Sequence, residues 1–194
     1  MNKYDLLIKN GMVHTAVESF EAEIGVSEGK ITAIGQNLGH AERVIDAEGM
    51  LVLPGGIDAH CHIEQESSTR IMTADDFYSG SVSAAFGGNT TFLPFAAQHR
   101  GQSLREVVDT ARERARNKAV IDYGLHLIIS DPTQNVLEEE LPSLIKEGYT
   151  SFKVYMTYEM LKINDREMLD ILALARRHGA LTMVHAENNE VINW

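Results

Sequence analysis

The chain has 194 residues, of which 44% are hydrophobic and only 4 are Pro, so it can bury a core of globular size. Its 28 acidic residues outnumber its 17 basic ones, and a formal charge of −11 repels phosphate backbones and anionic lipid. We therefore predict neither nucleic acid nor a membrane surface as a partner. The N-terminal segment lacks the features of a signal peptide, so we expect none, and we expect no membrane-spanning segment because no apolar stretch is long enough. With its single cysteine, Cys61, it is expected to be a cytoplasmic protein.

The first part of the chain reads as short strands separated by turns. Alternating apolar residues such as Ile31 and Ala33, with Gly-containing turns, favour an antiparallel, half-exposed sheet. The predicted strands lie at 5–13, 21–26, 31–35 and 44–53, the last interrupted at 48–49.

From residue 51 the pattern changes to short apolar runs alternating with helical stretches, which is typical of βα units around a parallel sheet. The predicted strands lie at 51–59, 89–95, 123–130, 150–156 and 180–185. The predicted helices lie at 73–86, 103–117, 136–147 and 165–178. In the last helix we expect Asp165 to cap the N-terminus and Gly179 to end the C-terminus, and Gly148 should end the third. Glu138, Glu139 and Glu140 are interpreted as a solvated helix face.

Five strands are too few for a closed (β/α)₈ barrel, which needs eight strands and typically about 250 residues. The predicted fold is therefore α/β, with a small β-sandwich region at residues 1–53 and the first part of an incomplete (β/α)₈ TIM-type barrel at 54–194. We expect the remaining strands to lie elsewhere, and the 194 residues alone to be inactive or very weakly active, with an unpaired apolar edge.

His60 and His62 follow an apolar strand two positions apart. Because side chains alternate along a strand, both imidazoles should face one way and Cys61 the other. This geometry suits two ligands of one metal ion, at the strand end where barrels assemble their active sites. The spacing alone leaves open a pair of surface histidines.

Lys153 lies inside the apolar strand SFKVYM, and His185 ends the next strand. Burial would favour a neutral amine on Lys153, the form able to capture carbon dioxide and become a carbamate. Taken alone, Lys153 could instead extend to the barrel rim or pair with a carboxylate. His185 could be a hydrogen-bonded core histidine, and we interpret His126, on the third strand, in that way. Asp131, at the end of that strand, is a weaker site candidate.

Together, strand-end His-x-His, a strand-borne Lys and a later strand-end His resemble the amidohydrolase superfamily. The segments PGGIDAHCHIE, FGGNTT, SFKVYMTY and MVHAEN resemble its dihydropyrimidinase and D-hydantoinase branch over essentially the whole chain. The resemblance implies two divalent metal ions, usually zinc with manganese as an alternative. His60 and His62 would hold one ion, His185 the other, and carboxylated Lys153 would bridge them. It implies further ligands on later strands, a His and a general-base Asp, and a homotetramer when full length.

The resemblance also implies that Tyr158 donates a hydrogen bond to the substrate oxyanion, with Tyr155 as the second choice; without it, Tyr158 reads as a loop-packed residue. Dihydroorotases carry an arginine where this chain has Glu64, whose charge would repel a substrate carboxylate. Allantoinases generally lack the tyrosine. The expected function is therefore hydrolytic ring opening of 5,6-dihydropyrimidines or hydantoins, small cyclic amides, to N-carbamoyl amino acids. The alternatives are a non-catalytic assembly protein of the same branch and an allantoinase-type hydrolase.

Overall fold

A computed structural model describes residues 4–67 and 70–194. The chain divides into two compact units, Met1–Gly55 and Gly56–Trp194. The division therefore comes two residues later than the boundary expected from the sequence. No helix in the described ranges is long and apolar enough to cross a membrane.

The first unit is a five-stranded sheet in the order β3-β2-β1-β4, with β5 also paired to β1. Its strands are β1 (Tyr4–His14), β2 (Ser19–Ser27), β3 (Lys30–Gly35), β4 (Ala41–Asp46) and β5 (Leu51–Val52). The first two hairpins are antiparallel, as predicted. The fully antiparallel sheet is wrong, because β4 and β5 run parallel to β1. The chain crosses to the far edge of β1 after β3, and no hairpin turn then reverses its direction.

The second unit contains a parallel sheet in the order β11-β10-β9-β7-β6, with β8 paired to β7. Its strands are β6 (Gly56–Cys61), β7 (Asn89–Ala97), β8 (Asp122–Tyr123), β9 (His126–Ile128), β10 (Ser151–Tyr155) and β11 (Leu181–His185). The strand order follows the chain order, so successive βα units lie side by side.

Two predicted strands are wrong in their extent. The strand expected at 51–59 is divided between β5, in the first unit, and β6, because Pro54 and Gly55 interrupt it and proline has no N–H to donate. The strand expected at 123–130 is divided into β8 and β9. Pairing with β7 lapses between the Phe92–Tyr123 and Phe95–His126 pairs. Pro94, which has no N–H, lies in that gap.

The helical segments overlap the four predicted helices, apart from a short additional helix near residue 190 that the sequence analysis did not predict. They are α1 (Phe77–Phe86), α2 (Leu104–Ala115), a π-helix (Val136–Glu140), α3 (Leu141–Lys146), α4 (Asp165–His178) and the short α5 (Asn189–Asn193). The third predicted helix is thus a π-helical turn followed by an α-helix. Gly179 ends α4 in the left-handed conformation, as predicted, with a φ of 71°.

The N-terminal cap of α4 is Asn164, not Asp165. The Asn164 side chain accepts a hydrogen bond from the Glu167 N–H at 2.9 Å, and the Glu167 carboxylate accepts one from the Asn164 N–H at 2.8 Å. This reciprocal capping box satisfies two N–H groups that the first turn of a helix leaves unpaired. Asp165 lies inside the first turn, where its negative charge still suits the positive end of the helix dipole.

The interpretation of Glu140 as part of a solvated face is wrong. Its carboxylate accepts hydrogen bonds from the backbone N–H groups of Leu104 at 2.6 Å and Arg105 at 3.1 Å. It therefore caps the N-terminus of α2, while Glu138 and Glu139 are exposed as predicted.

One hydrophobic core joins the strands to the helices that cover them. Among its fully buried members are Leu104 of α2, Leu127 of β9, Leu144 of α3, Phe152 of β10 and Ile171 of α4. The core packs against one face of β10. The candidate site residues lie on the other face of this strand and at the carboxyl ends of its neighbours.

Candidate metal centre

His60 lies near the end of β6 and His62 directly after it. Their ring centroids are 5.4 Å apart. Cys61, between them, instead packs against the buried cluster that includes Phe77 and Phe92. Burial raises the pKa of the Cys61 thiol to about 11, so it is a protonated packing residue. The arrangement agrees with the alternation of side chains along the strand.

Phe95 of β7 packs against both imidazoles, with centroid distances of 4.8 Å to His60 and 5.1 Å to His62. It also lies 5.2 Å from the ring of His126. Sequence analysis missed Phe95, although it lies at the carboxyl end of a predicted strand. Its ring restricts the orientations available to both histidines.

Hydrogen bonds leave a different ring nitrogen available on each of two candidate ligands. The Nδ1 of His62 lies 2.7 Å from Gln65 Oε1, and the Nε2 of His185 lies 2.7 Å from Glu187 Oε2. Because both oxygens accept, each of these nitrogens donates, which leaves Nε2 of His62 and Nδ1 of His185 with a free lone pair. Metal-binding histidines are commonly oriented in this way by an amide or carboxylate oxygen.

Lys153 is half-buried on β10, less buried than the sequence indicates. Its Nζ lies 5.3 Å from the centroid of the Tyr155 ring. Desolvation and the charges of His62 and Lys153 lower the pKa of His60, which favours the neutral, ligand form of its imidazole. Because the charge of Lys153 contributes to the lowered pKa, Lys153 lies within electrostatic range of His60.

His185 ends β11 beside two tyrosines. The Tyr155 ring stacks on it at 5.5 Å, and the Tyr158 ring lies 5.0 Å away. Burial raises the pKa of Tyr155, whereas Tyr158 is 52% exposed and has a left-handed backbone with a φ of 69°. Such a conformation is costly for a residue with a side chain and concentrates at functional sites. Of the two hydroxyl groups, that of Tyr158 is the more accessible to a substrate.

Glu64 does not present its charge to a substrate as the sequence comparison with dihydroorotases assumes. Lys118 Nζ donates to both of its carboxylate oxygens, at 3.0 and 3.1 Å, and the N–H of Phe77 donates to one of them at 3.1 Å. This pairing raises the pKa of Lys118. Glu64 thus anchors the start of α1, and its charge is neutralised locally. Asp131 likewise has a structural role, because its carboxylate accepts the N–H of Gly101 at 2.7 Å.

His126 has the hydrogen-bonded packing role expected for it. It is 5% exposed, its Nε2 lies 2.9 Å from the carbonyl oxygen of Ala59, and its Nδ1 pairs with the hydroxyl of Ser151.

The donor chemistry of these residues fits a metal centre. His60 and His62 share one strand end, His185 has a nitrogen with a free lone pair, and Lys153 of β10 lies within electrostatic range of His60. Within residues 4–67 and 70–194, no three imidazole, thiol or carboxylate groups gather around one point.

A cavity of about 460 Å³ lies beside α2, lined by residues that include Gln65, Phe95, Thr110 and Arg114. None of the four candidate ligands lines it. The candidate ligands therefore lie outside this cavity.

The sequence profile of the amidohydrolase family matches residues 51–194. The D-hydantoinase of Geobacillus stearothermophilus is 47% identical over 191 residues, which are 97% of this chain and 40% of that protein. A solved D-hydantoinase structure superposes with a TM-score of 0.93 at 47% identity, covering 97% of this chain and 41% of that one. The dihydropyrimidinase of Brevibacillus agri superposes with a TM-score of 0.91 at 43% identity, covering 96% and 41%.

The chain thus spans about two fifths of the length of these relatives. The superpositions confirm the predicted fold, a small β region followed by part of a (β/α) barrel. The resemblance inferred from the four quoted motifs is confirmed as well. The chain belongs to the amidohydrolase family, with D-hydantoinases among its relatives.

Proposed function

We propose that the protein hydrolyses a cyclic amide, opening a 5,6-dihydropyrimidine or hydantoin ring to an N-carbamoyl amino acid. Water adds to a ring carbonyl, the carbon–nitrogen bond breaks, the nitrogen takes a proton and the carbonyl carbon becomes a carboxylate. The observation that carries the proposal is that His60, His62 and His185 lie at the ends of β6 and β11, with Lys153 on β10, in a chain of this family.

The proposal includes two divalent ions, with zinc preferred. His60 and His62 would hold one and His185 the other, and a carbamate on Lys153 would bridge them. When bound, the ions would acidify water and polarise the carbonyl under attack. The carbamate forms when the neutral amine of Lys153 adds to carbon dioxide and loses a proton. Its negative charge then offsets the repulsion between two cations.

The protein's own residues prepare the reaction in three ways. Phe95 restricts both imidazoles of β6. Tyr155 packs beside both Lys153 and His185 and would restrict their side chains. Tyr158, which is exposed next to His185, would donate its hydroxyl hydrogen to the carbonyl oxygen as negative charge develops there. A donor of this kind contributes about 2.7–4 kcal/mol to the stabilisation of a transition state.

We also propose a cytoplasmic location, which a single cysteine favours.

The test is the hydrolysis of dihydrouracil and hydantoin by the natural full-length protein loaded with zinc, compared between Lys153→Ala and Lys146→Ala. Lys146 is an exposed lysine of α3 and serves as the matched control. We expect K153A to lose more activity than the roughly 10–100-fold typical for an outer-shell partner, and K146A to match the wild type. Intact mass should show one added carbon dioxide on the wild type and none on K153A. Failure of the wild type to open either ring, or full activity in K153A, would overturn the proposal.

A further inference from the structure

The peptide group that joins Ala59 to His60 lies outside the regular ladder of the sheet. Asp58 pairs with Phe92 and Cys61 with Pro94, so three steps along β6 correspond to two along β7. This is a β-bulge, with one extra residue on β6. Bulges next to active sites re-aim a side chain, and here the bulge immediately precedes a candidate metal ligand.

Side chains hold this peptide group at both ends. The carbonyl oxygen of Ala59 accepts a hydrogen bond from Nε2 of His126 at 2.9 Å. The N–H of His60 donates to Oδ1 of Asp58 at 3.1 Å. In a regular ladder the neighbouring strand supplies the hydrogen bonds of a peptide group, and here two side chains supply them. These two bonds fix the plane of the peptide group, and with it the direction in which the His60 side chain projects.

His126 reaches this peptide from two strands away. It lies on β9, β7 lies between β9 and β6, and its other ring nitrogen pairs with Ser151 on β10. Because a carbonyl oxygen only accepts, Nε2 carries the ring hydrogen, and Nδ1 of the neutral ring accepts from the Ser151 hydroxyl. The imidazole is buried and both nitrogens are used, so its position is determined on both sides.

We propose that His126 is a positioning residue for His60. Its Nε2–H holds the bulged peptide and so sets the direction of the His60 ring. Its Nδ1 also pairs with Ser151 of β10, the strand of Lys153, so His126 contacts two strands that are not neighbours in the sheet. The inference rests on the proposed function, because it takes His60 to be a metal ligand.

Two substitutions separate the two bonds of His126. In His126→Gln the amide nitrogen falls near the position of Nε2 and can still donate to Ala59. In His126→Asn the shorter amide falls near Nδ1, so it can pair with Ser151 but cannot reach Ala59. Ser151→Ala is the control that removes the other bond and keeps the Nε2 donor.

The readouts are zinc affinity, measured by competition with a chromogenic chelator, the kcat and KM for hydantoin, and the Tm, all in the natural full-length protein. We expect H126N to lose about 10–100-fold in zinc affinity, the typical cost of an outer-shell partner, and to lose kcat with KM unchanged. H126Q and S151A should keep a zinc affinity and a kcat within about 3-fold of the wild type, well below the loss expected for H126N. A folded H126N with wild-type zinc affinity would overturn the positioning role.

A second pair of variants acts at the other end of the same peptide, so the proposal stays testable if H126N does not fold. Asp58→Asn keeps the oxygen that accepts from His60, whereas Asp58→Ala removes it. We expect D58A, and not D58N, to reproduce the loss of zinc affinity; equal affinity in the two would overturn the proposal. A wild-type protein that binds no zinc would overturn the proposed function together with this one, whereas normal zinc binding in all variants would overturn the positioning role alone.

Discussion

We expect Glu140 to contribute strongly to the stability of α2, although its position in the sequence is typical of a surface residue. Its carboxylate accepts the N–H groups of Leu104 and Arg105, and Leu104 is fully buried. In Glu140→Ala the Leu104 N–H loses a charged acceptor and gains little contact with water, which costs about 1.5–3 kcal/mol. Loss of a negative charge at the positive end of the helix costs about 0.3–1 kcal/mol more. We therefore expect a loss of about 2–4 kcal/mol in the free energy of unfolding.

Urea denaturation followed by circular dichroism measures this loss. With a slope of about 2 kcal/mol per molar urea, the middle of the usual range, the midpoint should fall by about 1–2 M at unchanged slope. Glu140→Gln keeps a neutral acceptor and should lose roughly half as much. Glu139→Ala, one position earlier and exposed, should stay within about 0.5 kcal/mol of the wild type. An E140A midpoint equal to that of E139A would refute the capping role.

Two further predictions concern α1, which follows the His62 loop. Asp76 caps this helix, and the hydrogen bond from the Ser79 N–H lowers its pKa below the ordinary 3.8. A lowered carboxyl pKa stabilises the fold above 3.8 and ceases to do so as the pH falls through the lowered value. Asp76→Ala should therefore have a lower urea midpoint than the wild type at pH 7, with a smaller difference at pH 3; an equal difference at both would contradict this. At Gly80, an added Cβ would lie 2.7 Å from Cδ1 of Ile63. Gly80→Ala should cost about 1–3 kcal/mol by overpacking, less about 0.5–1 kcal/mol from better helix propensity. Ile63→Val removes the clashing atom, so the double variant should lose less free energy of unfolding than the two single variants lose in total. A loss equal to that total would count against the clash.

The candidate ligands could be named from the sequence for two reasons. Two positions along a strand restore the same face, so the spacing of His60 and His62 indicates a pair of ligands. Lys153 and His185 became candidates through the order of the motifs, which resembles that of the amidohydrolase superfamily. A local pattern also predicted the bounds of α4, whose apolar stripe and terminal glycine act within a turn or two. The partners that orient the ligands had weaker signals. Gln65 and Glu187 lie within three residues of a histidine, but polar residues at that spacing are too common to be specific.

What only the tertiary structure decided involves residues far apart in the chain. Glu140 meets Leu104 across 36 positions, Glu64 meets Lys118 across 54, and His126 meets Ala59 across 67. Each contact depends on which elements pack together, and a local sequence pattern does not show which elements become neighbours in the fold. For the same reason a carboxylate that reads as solvated becomes a helix cap. The sequence by itself determined the order of most strands and helices and pointed to the candidate ligands, and the packing of those elements decided which side chains contact the candidate ligands.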